Sequence, residues 1–246
     1  MKLKSTCIAV SLFTVSLPVI ANDINRLQNL NQGEFRLLSE DLAAALSYKP
    51  LIPTGPLGIT GFDLGLAVTD TKLNNSGVFN KATSGNVSSA GELPVPSLRL
   101  NKGLPFDVDV GFMLGAIPGS NIRLWGGELR YAFVHGDSVT PAIGLRGSYT
   151  KLTGVDQLGL ETKGVDLSIS KGFLMFTPYA GIGKVWTTST PNGVPAFGGG
   201  TLQTESFSLN KVFGGVNLNF GLTNLVFEAD RTGNAHTFGG KLGFRF

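Results

Sequence analysis

The sequence has few residues suited to disulfides, metal sites or histidine chemistry. Its only cysteine is Cys7, and its two histidines are His135 and His236. Because Cys7 falls in the first apolar stretch, the chain beyond it is predicted to have no disulfide and no cysteine-ligated metal. Phosphate-binding loops and dinucleotide-binding fingerprints are also missing from the sequence. No cofactor is therefore predicted.

The sequence is also poor in charge and in long apolar runs. Charged residues make up 15% of the chain, and the formal net charge is +3, or +1 without Lys2 and Lys4. A charge this close to neutral gives no reason to expect a nucleic-acid partner. After residue 55 no apolar run is long enough to span a bilayer as a helix. The 34 glycines and 12 prolines suit many short strands in one large all-β domain.

The first 21 residues have the features of a secretory signal peptide. Two lysines precede an apolar stretch, and the small residues Val19 and Ala21 precede a predicted cleavage before Asn22. The apolar core is about half the ~20 residues that a spanning helix needs. We therefore expect residues 1–21 to be removed on export, followed by an N-terminal segment at 22–56 and a strand domain at 57–246.

Ten segments alternate apolar and polar residues with a period of two, as expected of strands that have one apolar face. The clearest is FDVDVGFMLGA, and the last runs to the terminal residue, Phe246. The predicted segments are 59–73, 95–101, 106–116, 121–134, 139–149, 165–170, 173–187, 207–220, 225–230 and 237–246.

The connections between these segments predict a transmembrane barrel. Shorter connections alternate with longer or more polar ones, so the two kinds fall at opposite ends of an up-and-down meander. Aromatic residues gather at both ends of the strands, as in the two interfacial belts of a membrane protein. The alternative is a soluble secreted β-barrel or sandwich whose apolar face points inward.

The terminal GFRF and the alternation before it resemble the outer-membrane β-barrel proteins of Gram-negative bacteria. The resemblance implies a transmembrane antiparallel up-and-down β-barrel of about ten strands in the outer membrane, in contact with outer-membrane lipid. It also implies that Phe246, Phe244 and Leu242 form the signal that the barrel assembly machinery recognises. Pairing of the last strand with the first would remove both sheet edges.

The polar faces of the predicted strands carry charges of both signs. Ten strands leave at most a narrow lumen, so a general porin is not expected. An ion-selective path would favour one sign, whereas a balanced set favours an internal ion-pair network. The predicted lumen charges are Asp63, Asp107, Asp109, Asp166, Glu228, Arg130, Arg146, Lys241 and Arg245.

The segment 22–56 is the one predicted non-strand region. Phe35, Leu38, Leu42 and Leu46 recur at helical spacing, and prolines follow before the first strand. This predicts a short amphipathic helix that caps the periplasmic mouth or plugs the lumen. SEDLAAALSYKPL also resembles the N-terminal hatch segment of the long-chain fatty-acid transporter family, which would imply a small hydrophobic ligand.

Three functions follow from these features. The first is a non-enzymatic barrel with a structural or surface role and a lumen filled by ion pairs. The second is a narrow transporter of small hydrophobic molecules, gated by the N-terminal segment. The third is a surface hydrolase, because a hairpin could bring His236 close to Asp230, although no serine lies nearby in sequence.

Overall fold

The computed structural model describes residues 23–83, 91–137 and 139–246, so the predicted signal peptide lies outside the described residues. Ten antiparallel strands form a closed barrel in which every strand pairs with its sequence neighbours and β1 pairs with β10. The predicted all-β, up-and-down barrel is confirmed. The strands are β1 Phe62–Lys72, β2 Glu92–Gly103, β3 Val108–Ala116, β4 Arg123–Val134, β5 Ala142–Thr153, β6 Leu158–Ser170, β7 Phe176–Pro191, β8 Glu205–Phe220, β9 Thr223–Thr232 and β10 Ala235–Arg245.

The barrel has an apolar exterior and a largely charged wall inside. Leu66, Phe112 and Phe244 are exposed on the outer face, whereas Asp63 and Arg130 are buried. A soluble barrel has the opposite arrangement, because water rather than lipid surrounds it. Closure also leaves no unpaired sheet edge for lipid to meet. The protein is therefore a transmembrane barrel of the bacterial outer membrane, and the soluble alternative is excluded.

The connections fall at two mouths. Residues 104–107, 135–141, 171–175 and 221–222 connect strands at what we call the tight-turn mouth, where β1 begins and β10 ends. The other connections lie at the long-loop mouth, although only two of them are long, and 233–234 is shorter than the sequence indicated. These are 73–91, 117–122, 154–157, 192–204 and 233–234.

The last residue closes the barrel. The Phe62 amide donates to the Phe246 carbonyl at 2.7 Å, and the Phe246 amide donates to the Phe62 carbonyl at 3.1 Å. Their rings stack with centroids 5.6 Å apart. Phe246, Phe244 and Leu242 all point outward. The strand β10 and Phe246 thus form the seam of the closed wall with β1.

Two α-helices accompany the strands within the described residues. The helix α1, Gln32–Leu46, begins with a capping box between Asn31 and Glu34, which satisfies amides at the helix start. A 3-10 helix, Leu27–Asn29, precedes it, and the second helix, α2, Ser76–Ala82, lies in the β1–β2 connection. In the part of the chain that is described, no helix is long and apolar enough to cross a membrane.

The helix α1 lies inside the long-loop mouth. Phe35, Leu38 and Leu42 are almost completely buried and belong to one apolar cluster with inward-facing Leu93 and Leu160 of the wall. The strand interior therefore changes along its length, from apolar near the long loops to charged near the tight turns. The long-loop half of the lumen is filled by packing, which stabilises the helix more than its own propensity does.

We predict that Phe246→Ala lowers the yield of assembled barrel more than Phe238→Ala does. Both side chains are 70% exposed on the outside of β10, so the lost apolar contact with lipid is similar. Only Phe246 belongs to the implied assembly signal, and its ring also stacks on Phe62 of β1. The measurement is the heat-modifiable band of the outer-membrane fraction on electrophoresis. Equal losses for the two variants would contradict a special role for the terminal residue.

Candidate functional site: the occupied lumen

An extended piece of chain passes through the lumen below α1. We call residues 47–57 the strap. It leaves the helix at Ser47 and leads to β1 at the tight-turn mouth. Pro50, Pro53 and Pro56 exclude helix and sheet pairing along it. Extended backbone in a closed interior must find hydrogen-bond partners on the wall, since unpaired polar groups are costly there.

Three strap carbonyls accept hydrogen bonds from three cations of the wall. Lys211 Nζ donates to the Tyr48 carbonyl at 2.8 Å. Arg99 Nη1 donates to the Lys49 carbonyl at 2.6 Å, and Arg130 Nη1 donates to the Pro53 carbonyl at 2.8 Å. All three cations are buried. They come from β8, β2 and β4, so the strap is held from several sides.

The strap amides have matching acceptors. The Leu51 amide donates to Glu228 Oε2 at 2.9 Å, and the Leu57 amide donates to Asp109 Oδ1 at 3.1 Å. The Thr54 amide donates to Ser170 Oγ at 3.1 Å. The three prolines need no acceptor because they have no amide hydrogen. The wall side chains therefore provide the hydrogen-bond donors and acceptors that a neighbouring strand provides in a sheet.

One buried ion pair joins a strap side chain to the wall. Lys49 Nζ lies 2.9 Å from Asp230 Oδ2, and each side chain is only 2% exposed. Thr232 also donates to Asp230, at 2.9 Å. With the backbone contacts, the strap is bonded to six of the ten strands: β2, β3, β4, β6, β8 and β9.

The wall charges are also paired with each other. Arg146 contacts Asp166 at 3.0 Å and Glu128 at 3.4 Å, and Lys211 contacts Asp166 at 3.2 Å. Arg130 binds Asp109 at 2.5 Å. Pairing of this kind offsets the cost of removing each charge from water.

A second group of paired charges lies near the tight-turn mouth. Asp63 contacts Lys241 at 2.6 Å and Arg245 at 3.0 Å, and it accepts a hydrogen bond from Asn224 at 2.8 Å. Asp63 on β1 thereby connects to β9 and β10 across the seam. The same carboxylate that fills the lumen helps to hold the barrel closed.

The structure places eight of the nine predicted lumen charges on the inner side of the wall. The exception is Asp107, whose prediction as a lumen charge is wrong. Phe106 and Asp107 have φ angles of +65° and +57°, so β3 begins only at Val108 and the alternation does not extend back to them. Asp107 lies in the turn, 41% exposed, and contacts His135 Nδ1 at 2.8 Å. The eight inward residues are Asp63, Asp109, Arg130, Arg146, Asp166, Glu228, Lys241 and Arg245.

Five further buried charges of the wall and strap are absent from the predicted set. Arg99, Glu128 and Lys211 lie within predicted segments and share the inward parity of their strands, so the same alternation identifies them as lumen charges. Lys49 lies in the strap, where no periodicity indicates its direction. The surface-hydrolase hypothesis places Asp230 at the cell surface, whereas the structure places it in the lumen.

The hypothesis of a catalytic pair between His236 and Asp230 is wrong. Thr237 pairs with Asp230, whereas His236 pairs with Arg231. Alternate residues of a strand face opposite sides, so Asp230 faces the lumen and His236 is exposed on the outside. The wall separates the two side chains. Among the described residues, no group of three or more potential ligands could hold a metal ion.

The helix α1 is fixed to the long loops by two acidic residues. Burial raises the pKa of Asp41, although its carboxylate accepts hydrogen bonds from the amides of Asn75 at 2.7 Å and Asn74 at 3.2 Å. A hydrogen bond from Lys81 of α2 lowers the pKa of Glu34. The β1–β2 connection is thereby tied to the helix that fills the mouth.

The filled lumen leaves a cavity at each mouth. The cavity at the tight-turn mouth has a volume of about 340 Å³ and is lined in part by Pro53, Pro56 and His135. The cavity at the long-loop mouth has a volume of about 320 Å³ and is lined in part by Asp41 and Asn234. The strap and the ion pairs lie between them.

A scan against models of protein families and a search of curated proteins both find no match. Similar solved structures include the N-terminal β-barrel domain of Pseudomonas aeruginosa OprF, with 12% identity, coverage of 75% of this chain and 97% of that chain, and a TM-score of 0.37. Neisserial surface protein A has 13% identity, coverage of 75% and 94%, and a TM-score of 0.30. Ail of Yersinia pestis has 14% identity, coverage of 76% and 97%, and a TM-score of 0.28. These scores carry no argument about function, and the comparisons do not support the resemblance to fatty-acid transporters.

We predict that Lys49→Met lowers the free energy of unfolding by about 3–5 kcal/mol, because it leaves Asp230 buried without its cation. Adding Asp230→Asn should recover part of that loss. The exposed pair of Lys151 and Glu161 is the control, for which Lys151→Met should leave the unfolding midpoint almost unchanged. Urea unfolding in lipid vesicles measures the loss of stability at the strap pair and at the exposed control pair. Equal costs at the two pairs would show that the strap pair does not hold the lumen contents.

Proposed function

We propose that this protein is a closed, non-enzymatic outer-membrane barrel with a structural or surface role, whose lumen is sealed by its own N-terminal segment. The observation that carries the proposal is the strap, which crosses the lumen and is bonded to six strands. A ten-stranded barrel has a narrow interior, so one extended chain with its partners fills it.

The balance of charge in the lumen supports the same proposal. A conducting filter presents one sign of charge along its path. Here most charges are paired with the opposite sign, whereas Arg99 binds a strap carbonyl and Glu228 accepts from a strap amide and from Tyr179. Six buried carboxylates accompany seven cations: Asp63, Asp109, Glu128, Asp166, Glu228 and Asp230 with Lys49, Arg99, Arg130, Arg146, Lys211, Lys241 and Arg245.

The start of the described chain supports a surface role. Outer-membrane barrels carry short turns on the periplasmic side and longer loops outside, so the long-loop mouth faces the exterior. The Ile24 amide donates to Asn121, the Leu27 amide donates to Gln157, and the Leu30 carbonyl accepts from Phe197. These contacts link three separate loops to the N-terminal segment. The result is a fixed external surface.

A narrow transporter for small hydrophobic molecules is the second candidate. In its favour, hydrogen bonds and ion pairs hold the strap, and water can replace such contacts more readily than it can replace the apolar packing of α1. Transport would require the strap to leave the lumen, either alone or together with α1. The sealed barrel requires no such movement.

Conductance separates the two candidates. We predict that the mature protein is silent in a planar lipid bilayer and that deletion of residues 24–56 produces ion-conducting pores. The matched control replaces α2, Ser76–Ala82, with a glycine-serine segment of equal length and should stay silent, because α2 lies outside the strap path. Conductance of the intact protein, or its release of a hydrophobic dye from proteoliposomes, would favour the transporter.

We further predict that Asn25 is reachable from outside the cell. Beyond the predicted signal peptide the chain has no cysteine, so Asn25→Cys and Val139→Cys each introduce one thiol. Both positions are exposed, Asn25 near the long-loop mouth and Val139 at the tight-turn mouth. In intact cells a membrane-impermeant maleimide should label only the Asn25 variant, and both variants after lysis. Labelling of the Val139 variant alone would show that the tight-turn mouth faces the exterior, which would contradict the proposal.

A further inference from the structure

Two lysines stand side by side on the outer face of the wall. Lys163 on β6 pairs with Trp186 on β7, and Lys184 on β7 pairs with Val165 on β6. The two lysines are therefore diagonal neighbours on the same face, and both are exposed. Cations on a lipid-facing wall are costly unless their charged ends reach the headgroup region.

Neither lysine forms an ion pair within the described part of the chain, where no carboxylate lies within 4 Å of the amine of Lys163 or Lys184. Glu161, two positions from Lys163 on the same face, interacts with that lysine only at longer range and is paired with Lys151 at 2.8 Å. Lys184 instead lies over the ring of Trp186, with its amine 6.0 Å from the ring centroid. The two positive charges are thus available to an external anion.

Their position along the strands matches the membrane interface. Lys163 lies between Tyr149 on one side and Trp186 on the other, in direct register with both. Tyrosine and tryptophan are enriched where the hydrocarbon meets the headgroups. The lysines therefore lie at the depth of lipid phosphates, on the side of the long-loop mouth.

An apolar groove begins beside Lys184, the diagonal neighbour of Lys163. It has a volume of about 520 Å³, and its lining includes Leu145, Val165, Leu167 and Ile182, with Lys184 and Trp186 at one end. An acyl chain fits such a surface, because the groove runs over the exposed apolar wall. Two other exterior grooves, of about 480 and 430 Å³, have no charged residue in the linings that the structure describes.

We propose that this groove binds one anionic lipid of the external leaflet, with its phosphate between Lys163 and Lys184 and an acyl chain along Val165 and Ile182. Two unpaired cations attract a phosphate, and the groove adds apolar contact for the same molecule. A zwitterionic lipid gains less, because its own ammonium group offsets the attraction.

Native mass spectrometry of the full mature barrel, released from detergent with defined lipids, tests the proposal. The probes are bisphosphorylated lipid A and, for comparison, phosphatidylcholine. We expect wild type to retain one lipid A. The double variant Lys163→Gln with Lys184→Gln should bind it about tenfold to thirtyfold more weakly.

The matched control is Lys72→Gln with Arg231→Gln. These cations are also exposed on the outer wall, and both flank His236, but Glu92 lies directly opposite Lys72. The control should bind lipid A as wild type does. Val165→Trp, which narrows the groove without changing charge, should weaken binding while the heat-modifiable band stays intact.

Equal losses in the two double variants would overturn the proposal, because they would show attraction by general surface charge. Equal retention of phosphatidylcholine and lipid A by wild type would also overturn it, because the lysines would then contribute nothing. Binding of inorganic phosphate without lipid at the same affinity would show an anion site that does not use the groove.

Discussion

The structure depends on one constraint: the backbone of an extended chain inside a closed barrel must be hydrogen bonded. The strap has no strand beside it, so the wall provides cations for its carbonyls and acceptors for its amides. The buried charges of the wall are therefore more than lumen filling. They act as a set of partners for a particular piece of backbone.

The same constraint explains how the interior is divided. A helix satisfies its own backbone, so α1 can occupy the half of the lumen that is lined by apolar side chains such as Leu93 and Leu160. The strap cannot do this, and it lies where the wall is charged. The wall residues that contact the helix are largely apolar, whereas those that contact the strap are largely polar or charged.

The composition of the outer surface is set by a different solvent, the lipid hydrocarbon. Lipid requires an apolar exterior, and alternation places apolar residues there without any influence from the lumen. Lys163 and Lys184 depart from that pattern at the depth of the aromatic residues. A charged side chain at this depth costs little free energy, because its amine reaches the headgroup region. In our proposal the two lysines bind an anionic lipid there.

The barrel could be predicted from sequence because alternation is local. The outward parity of Leu66, Phe112 and Phe244 follows from a period of two, and the pairing of Phe246 follows from the need to close the edge. Local patterns fail where the backbone leaves the extended conformation, as at Phe106 and Asp107, whose positive φ angles end the alternation.

Contacts across the lumen could not be predicted in this way. Lys49 meets Asp230 across 181 positions of sequence, and no period connects a strap to a wall. Asp230 shares the inward parity of Glu228, and the surface hypothesis fails because it rests on closeness to His236 across a hairpin and not on alternation. The sequence by itself determined the strands, their outward faces and the closing residue. Only the tertiary structure decided which piece of chain enters the lumen and which charges hold it, because those partners meet only after the barrel closes.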